Sequence, residues 1–552
     1  MQAAGVDSVI EPLQWRAEIA APSSRRSRRS WLGALRVLPP LARWTLAILG
    51  TVIAGLYAQG SAEFVPHATT SDALLPVSFA WNLFHQPGTI GSFQLPRIPS
   101  IAPDLVTIVS LDYLTGGDAR RVMFAYSFLQ AIATTALAAA VIARLAKVSS
   151  SHAALAWVSL LAVVIAVSDL RVLDLVALYL PVEHFSTFLF SLLGLLLALR
   201  YLDRGRRSAA LWLCALVGIA ELSSQKFLVD FVLPELGAAA VMVRLGHLAW
   251  RRAASLAGWT VLGLVIGRLA DRLLVRQPDL GMVQVLVHAR TFAIEAVGYF
   301  QQRPLICLVC LVLPLIIALF AIVSWLRLRL TERRIVLSPD DATVFYAGCF
   351  GVLAWWGSVA AMALVYVDVG SYRYTAPALC WPLLFSAAVL AHLCRNRFGA
   401  SSVLQAAIML AMLASRPAAA IAPPLLSWQH PLVKCLEDAG LSEGLADYWN
   451  ARSPTVASGF RLQIDQIDGG GLYVWGNNRQ WYSHAFADPA RAPDYNFIVT
   501  TRLDEASLRA RFGAPQSRVQ CGDDQVWLYP EDANLRAALT RPLTPSAAPG
   551  RR

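Results

Sequence analysis

Apolar runs alternate with short polar segments along most of this chain, and the runs approach the length of a bilayer crossing. A crossing helix needs ~20 residues. Eleven runs qualify, at 41–58, 122–143, 153–168, 184–202, 209–223, 227–243, 253–274, 304–326, 342–366, 374–393 and 400–420. The polar break Ser223-Ser224-Gln225-Lys226 divides 209–243 into two spans. Basic clusters follow every second run: Arg144 and Lys147; Arg200, Arg204, Arg206 and Arg207; Arg244, Arg251 and Arg252; Arg327, Arg329, Arg333 and Arg334; Arg395 and Arg397. Positive residues collect in cytoplasmic loops. That rule puts the N-terminus inside and, after eleven spans, the C-terminus outside, in a bacterial periplasm.

The pattern predicts a mainly α fold: a polytopic transmembrane bundle with a long first outer loop and a small C-terminal α/β domain. Residues 1–40 form a basic cytoplasmic tail. Within it Ser27–Leu32 looks superficially like a twin-arginine export signal, but the many spans that follow favour an anchor. The membrane domain covers 41–423, with its first outer loop at 59–121. That loop predicts an interfacial helix over Ala73–Phe84, a proline-rich passage (Pro87, Pro96, Pro99, Pro103), a second amphipathic stretch over Asp104–Leu114 and a turn at Thr115–Asp118. Another interfacial helix is expected near Met282–Phe300. Residues 424–540 predict the soluble domain. Its helices fall over 431–450, its strands over 461–467, 495–503, Val519 and Val526–Tyr529, and a helix capped by Asp504 runs to Phe512. The Pro/Ala/Arg-rich tail, 541–552, predicts disorder.

Composition agrees with the pattern. The mean hydropathy is +0.51 and 56% of residues are hydrophobic; a single soluble core does not grow to 552 residues. The net charge of +11 sits in the interspan loops, so it argues for membrane sorting and against nucleic acid. Six of the eight cysteines lie in or beside apolar runs, where a thiol behaves as a small hydrophobe. Cys435 and Cys521, in the polar C-terminal segment, form a candidate disulfide for an oxidising compartment.

No phosphate-cradling glycine loop, zinc-type HExxH or nucleophile elbow is present, and Gly469–Gly471 reads as a turn. Scattered histidines give no metal site. The chemistry-bearing candidates are ionisable residues on the outer side, since charges at membrane depth persist when paired or functional. Asp72, in Thr70-Ser71-Asp72, opens the first interfacial helix, as a cap or as a catalytic acid. Asp104 opens the second with the same two readings. Arg373, between Tyr372 and Tyr374, either grips a lipid phosphate or anchors in the aromatic belt. Lys226 lies beside Glu221 and Asp230, for ligand binding or a local ion pair. Arg268, Asp271 and Arg272 are expected to pair with one another. Trp449, Trp475, Trp481 and Tyr482 either stack on a sugar or fill the core of the C-terminal domain.

This layout resembles the GT-C superfamily of polytopic membrane glycosyltransferases, in an uncharacterised bacterial branch, over residues 41–420. Members carry a long first periplasmic loop with interfacial helices, a catalytic acid near its start and, in many cases, a soluble C-terminal domain. The resemblance implies transfer of a sugar from a polyprenyl-phosphate donor to a glycan, lipid or protein acceptor at the periplasmic face of the inner membrane. It implies Asp72 as general base, Asp104 as orienting acid, and Arg373, Tyr372, Tyr374, Lys226 and Arg97 around the phosphate. Many members have two adjacent acids; here Ser71 and Ala73 flank Asp72. The expectation is therefore that no cofactor is required, with a divalent metal left open but unsupported by a paired-acid motif. The alternatives are a non-catalytic scaffold binding envelope components and a lipid or glycan transporter.

Overall fold

The computed structural model describes residues 39–61, 64–96, 98–167, 178–180, 185–274, 285–302, 338–365, 376–395, scattered positions within 404–414, then 424–468, 471–482, 493–530 and 534–540. The protein is a helical membrane bundle carrying a small α/β domain. Among the described residues nine of the expected spans are helices. They are α1 (Pro40–Gln59), α5 (Ala119–Ala146), α6 (Ser150–Val167), α7 (Ser186–Arg204), α8 (Arg207–Ser223), the π-turn Leu228–Val232 running into α9 (Leu233–Arg244), α10 (Trp250–Leu274), α12 (Pro339–Val365) and α13 (Ala376–Leu393). Five of these helices are long and apolar enough to cross a membrane unaided. The 304–326 run, most of 400–420, and residues 1–38 and 541–552 lie outside the described residues.

Packing explains why moderately apolar helices hold together without a hydrophobic drive between them. Small residues let backbones approach in lipid. On α10, Gly263 and Gly267 face α8 with buried neighbours Leu256, Thr260 and Asp271 at helical spacing, while Val261, Leu262, Val265, Ile266 and Leu269 stay exposed. A Cβ on Gly263 would collide with the Cys214 carbonyl, and one on Gly267 would lie 2.6 Å from the Gly218 carbonyl. That close approach sets Arg268 against Glu221 of α8 at 2.8 Å, while Asp271 accepts from the Gln225 amide at 3.0 Å. The expected Arg268–Asp271–Arg272 self-pairing is therefore corrected: Arg268 pairs with Glu221 on α8, and Asp271 with Gln225 just beyond that helix. Within α9, Glu235 is fully buried, with the hydroxyl-bearing Thr260 and Tyr346 beside it.

The first loop forms a short helix α2 (Phe64–Ala68), α3 (Ser71–His85), a 3-10 turn (Pro87–Ser92), strand β1 (Phe93–Gln94), a π-turn (Ile101–Leu105) and α4 (Val106–Thr115). Gly116 and Gly117 then adopt positive φ, and the Asp118 carboxylate caps α5. The interfacial helix expected near 282–300 is α11, Val285–Gln302.

The C-terminal domain comprises α14 (Pro431–Asp438), β2 (Glu443–Asp447), α15 (Tyr448–Ala457), β3 (Gln463–Asp468), β4 (Gly471–Leu472), β5 (Asn477–Asn478), β6 (Phe497–Val499), α16 (Glu505–Phe512), β7 (Ser517–Cys521), β8 (Asp524–Leu528) and α17 (Leu535–Thr540). One sheet has the order β4-β3-β2-β6-β8-β7, with β2 parallel to both its neighbours. Residues 443–447 thus correct the helical expectation for 431–450. A central strand buried on both faces is too short to show a period, and tertiary pairing decides it. Gly444 there leaves room for the Phe497 ring. Leu445, Ile498 and Trp527 pack on one face under α16 and α17; Ile464, Phe497 and Val526 pack on the other under α14 and α15. A disulfide joins Cys435 of α14 to Cys521 of β7, with Cα atoms 5.8 Å apart.

Candidate active site at the domain interface

The first loop and the C-terminal domain meet along α3. Thr70, in extended conformation, caps α3 by accepting the Ala73 N–H at 3.3 Å. Asp72 is therefore not the cap. It occupies the first turn, where the helix dipole favours a carboxylate. Pro76 lacks the N–H that would bond back to the Asp72 carbonyl. The Asp72 side chain is half-buried, and its Oδ1 accepts the Tyr448 hydroxyl from α15 at 2.5 Å. Burial first, and the Asp72 charge next, push the Tyr448 hydroxyl well above the usual tyrosine range, so Tyr448 remains a donor.

The segment around Asp72 is clamped by further bonds. The Ser71 hydroxyl donates to the Tyr448 carbonyl at 2.5 Å. The buried Arg452 guanidinium donates to the Ser71 carbonyl and, at 2.5 Å, to the Gly476 carbonyl, while lying 5.5 Å from the Tyr448 ring centre. Farther along α3, Asn478 donates to Asn82 at 2.9 Å and to Thr89 Oγ1 at 2.8 Å, and β1 pairs antiparallel with β5. The Trp481 indole donates to Gln86 Oε1 at 2.8 Å.

A pocket opens in this interface. From α3 it is lined by Ser78 and Trp81; from the C-terminal domain by Arg452, Phe460, Asp465 and Trp481, with carboxamides between them. Trp81 stacks on Phe460 with ring centres 4.4 Å apart. Asp465 is buried, and its Oδ2 accepts from Gln463 at 2.8 Å and from the Tyr495 hydroxyl. Burial raises the Asp465 carboxyl to about 6 against the opposing pull of those hydrogen bonds.

The structure does not gather all the sequence-derived candidates here. Asp104 is not a helix cap: it lies in the π-turn, buried, and accepts the Tyr126 hydroxyl from α5. Burial raises its carboxyl to about 6. Among the described residues no hydrogen bond and no shared pocket wall links it to Asp72. Lys226 pairs with Asp230 at 2.5 Å, and Asp230 also accepts from Thr187 at 2.7 Å and Ser358 at 2.5 Å. Arg373, Tyr372, Tyr374 and Arg97 lie outside the described residues. Of the aromatic candidates, Tyr482 is core, Trp481 lines the pocket and Trp449 is 38% exposed. Among the described residues no group of three His, Cys, Asp or Glu side chains is arranged to hold a metal ion.

Sequence reasoning missed Arg452, Asp465, Trp81 and Phe460. Arg452 is buried against the Ser71 carbonyl of α3 and Asp465 within the sheet of its own domain, and neither contact is visible in local sequence.

No family model matches the chain, and no curated protein matches it. Among solved structures, the crystal structure of ArnT from Cupriavidus metallidurans in the apo state aligns over 90% of this chain and 99% of that chain, at 12% identity and a TM-score of 0.48. At that score the likeness bears on neither family nor activity.

Proposed function

We propose that this protein is an integral membrane glycosyltransferase that moves a sugar from a polyprenyl-phosphate donor to a glycan, lipid or protein acceptor. The observation that carries the reading is Asp72: a half-buried carboxylate in the first turn of α3, released from capping by Thr70 and oriented by Tyr448. It lies on the same helix as a pocket with aromatic and amide walls. In this reading the domain-bearing end of the bundle faces the periplasm of a bacterial inner membrane, with the N-terminus cytoplasmic.

Asp72 takes the proton from the acceptor hydroxyl, a role worth ~10²–10⁴ in rate. The freed oxygen attacks the anomeric carbon as the bond to the phosphate oxygen breaks. The phosphate leaves with the electron pair and needs no separate acid, and a single displacement inverts the anomeric centre. Arg373, flanked by Tyr372 and Tyr374 and aided by Arg97, offsets the charge developing on the phosphate. Lys226 already has Asp230 as its partner, so its contribution is the smaller one. Asp104, bonded to Tyr126, organises the loop.

The Asp72–Tyr448 bond also favours a second reading, in which the α3 segment is a latch for the C-terminal domain and the protein is a scaffold. Membranes containing wild type, Asp72→Asn or Tyr448→Phe, incubated with radiolabelled polyprenyl-phosphate sugars, separate the two. Transfer by wild type, lowered about ten- to hundredfold in Tyr448→Phe and abolished in folded Asp72→Asn, supports catalysis. No transfer above background by wild type, with melting lowered in both variants, supports the latch.

A further inference from the structure

In the π-turn of the first outer loop, Asp104 meets a hydroxyl whose single proton has two claimants. The Tyr126 hydroxyl oxygen lies against Asp104 Oδ1 and 3.0 Å from Oε1 of Gln130, one turn further along α5. The Gln130 amide has only one workable orientation. Its Nε2 donates to the Leu178 and Leu180 carbonyls, each at 3.0 Å; reversed, it would set an oxygen against two oxygens. Gln130 Oε1 therefore needs the Tyr126 proton. An ionised Asp104 needs the same proton, and one of the two contacts is then oxygen against oxygen. With a proton on Asp104 both contacts are hydrogen bonds: Asp104 donates to Tyr126, and Tyr126 donates to Gln130.

The surroundings favour the neutral acid. Asp104 is fully buried, and no hydrogen bond reaches its Oδ2. Among the described residues, the groups acting on it are the hydroxyls of Tyr126, Ser186 at the start of α7, and Ser100. The π-turn also packs on α4 and α8, whose charges are engaged elsewhere. Glu221 of α8 pairs with Arg268, and Asp112 of α4 has His85 beside it. On α5, Arg120 and Arg121 pair with Asp118, and the charges of α7 lie at its far end. Burial raises the Asp104 carboxyl to about 6 against the pull of the three hydroxyls.

The bonds end on a segment wedged between spans. Leu178, Tyr179 and Leu180 are fully buried, and the Tyr179 hydroxyl donates to the Thr51 carbonyl of α1 at 2.9 Å. The Tyr179 ring packs on Gly55, where a Cβ would collide with it. α1 leads through α2 into α3, the helix that carries Asp72. The far half of the first loop is thus joined, across α5, to the span that enters its near half.

We propose that Asp104 is a positioning residue that acts through its proton. Protonated, it completes the line Asp104–Tyr126–Gln130 that seats residues 178–180 against α1 and α5. Ionised, it draws the Tyr126 proton to itself and leaves Gln130 Oε1 buried without a donor. This coupling does not depend on the transferase reading. Because the folded value lies above the ~3.9 of an unfolded chain, the coupling is complete at low pH and is lost as pH rises through about 6.

The test uses full-length protein in phospholipid nanodiscs and two readouts. Infrared difference spectra of wild type minus Asp104→Asn should show the carbonyl stretch of a protonated carboxylic acid at pH 5 and lose it at pH 8. Hydrogen–deuterium exchange, corrected for the intrinsic effect of pH, should show protection of the 178–180 amides falling about tenfold over the same range, as loss of one hydrogen bond implies. Asp104→Asn keeps a donor toward Tyr126, so its segment should stay protected at both pH values. Tyr126→Phe, which breaks the line, should be weakly protected at both. A merely structural Asp104 would give neither the band nor the pH course. The proposal is overturned if wild type lacks the band at pH 5, if wild-type protection is flat from pH 5 to 8, or if Asp104→Asn or Tyr126→Phe follows the wild-type course.

Discussion

Asp72 and Asp465 are carboxylates on opposite sides of one interface, and their surroundings assign them different work. Asp72 is half-buried and accepts the Tyr448 hydroxyl. If that bond orients a general base, Tyr448→Phe should lower the transfer rate about ten- to hundredfold, since a hydrogen bond to a charged group contributes ~1.5–3 kcal/mol. Asp72→Asn should reduce transfer to background; initial rates at saturating donor distinguish the two. Asp465 is fully buried and its carboxyl is raised to about 6. Its pKa in the unfolded chain is ~3.9, so between these values the folded state binds the proton more tightly. The stability from this group is complete below the unfolded value and is lost as pH rises through about 6. Melting of wild type and Asp465→Asn at pH 4.5, 5.5 and 7 should therefore show the variant losing less stability across that window. Parallel curves would mean that Asp465 does not titrate there.

Elements show most plainly what the chain displays in its sequence and what it conceals. Spans are legible because ~20 apolar residues in a row have few other uses, and α3 and α4 are legible because polar residues and prolines punctuate them, although Thr70 and not Asp72 caps α3. Strand β2 was not, since Glu443–Asp447 gains its identity only from β3 and β6 on either side. Arg268 was assigned the wrong partner because local spacing says nothing about which helix comes close. The glycines that bring it close were in plain view: Gly263-Leu264-Val265-Ile266-Gly267 is a small-xxx-small stripe. Gly267→Leu should push α8 from α10, break the Arg268–Glu221 pair and cost at least the ~1–3 kcal/mol of an overpacked core. Thermal aggregation followed by size exclusion checks this, and a wild-type profile would refute the packing account.

At the scale of the molecule, the C-terminal domain is a wall of the site. Its contacts with the first loop comprise a charged clamp at Ser71, a strand pair at Phe93, and amide and aromatic contacts between. None of these pairings is readable along the chain, because partners such as Asn82 and Asn478 are nearly 400 residues apart. The candidate base was legible from its place at the start of the loop, whereas the pocket needed the fold. The disulfide closes a separation of 86 residues, and such links contribute ~2–5 kcal/mol. Replacing Cys435 and Cys521 by serine should lower the melting temperature and, with the domain loosened, lower transfer as well. Full transfer at a depressed melting temperature would show that the domain is dispensable to the site.

The most direct test of the account is mass spectrometry of envelope glycans and lipid-linked sugars from a deletion strain, complemented with wild type or Asp72→Asn at matched expression. The account predicts that deletion removes one sugar from a glycan, that its polyprenyl-phosphate donor accumulates, and that only wild type restores the profile. Restoration by both proteins, or an unchanged profile on deletion, would contradict it.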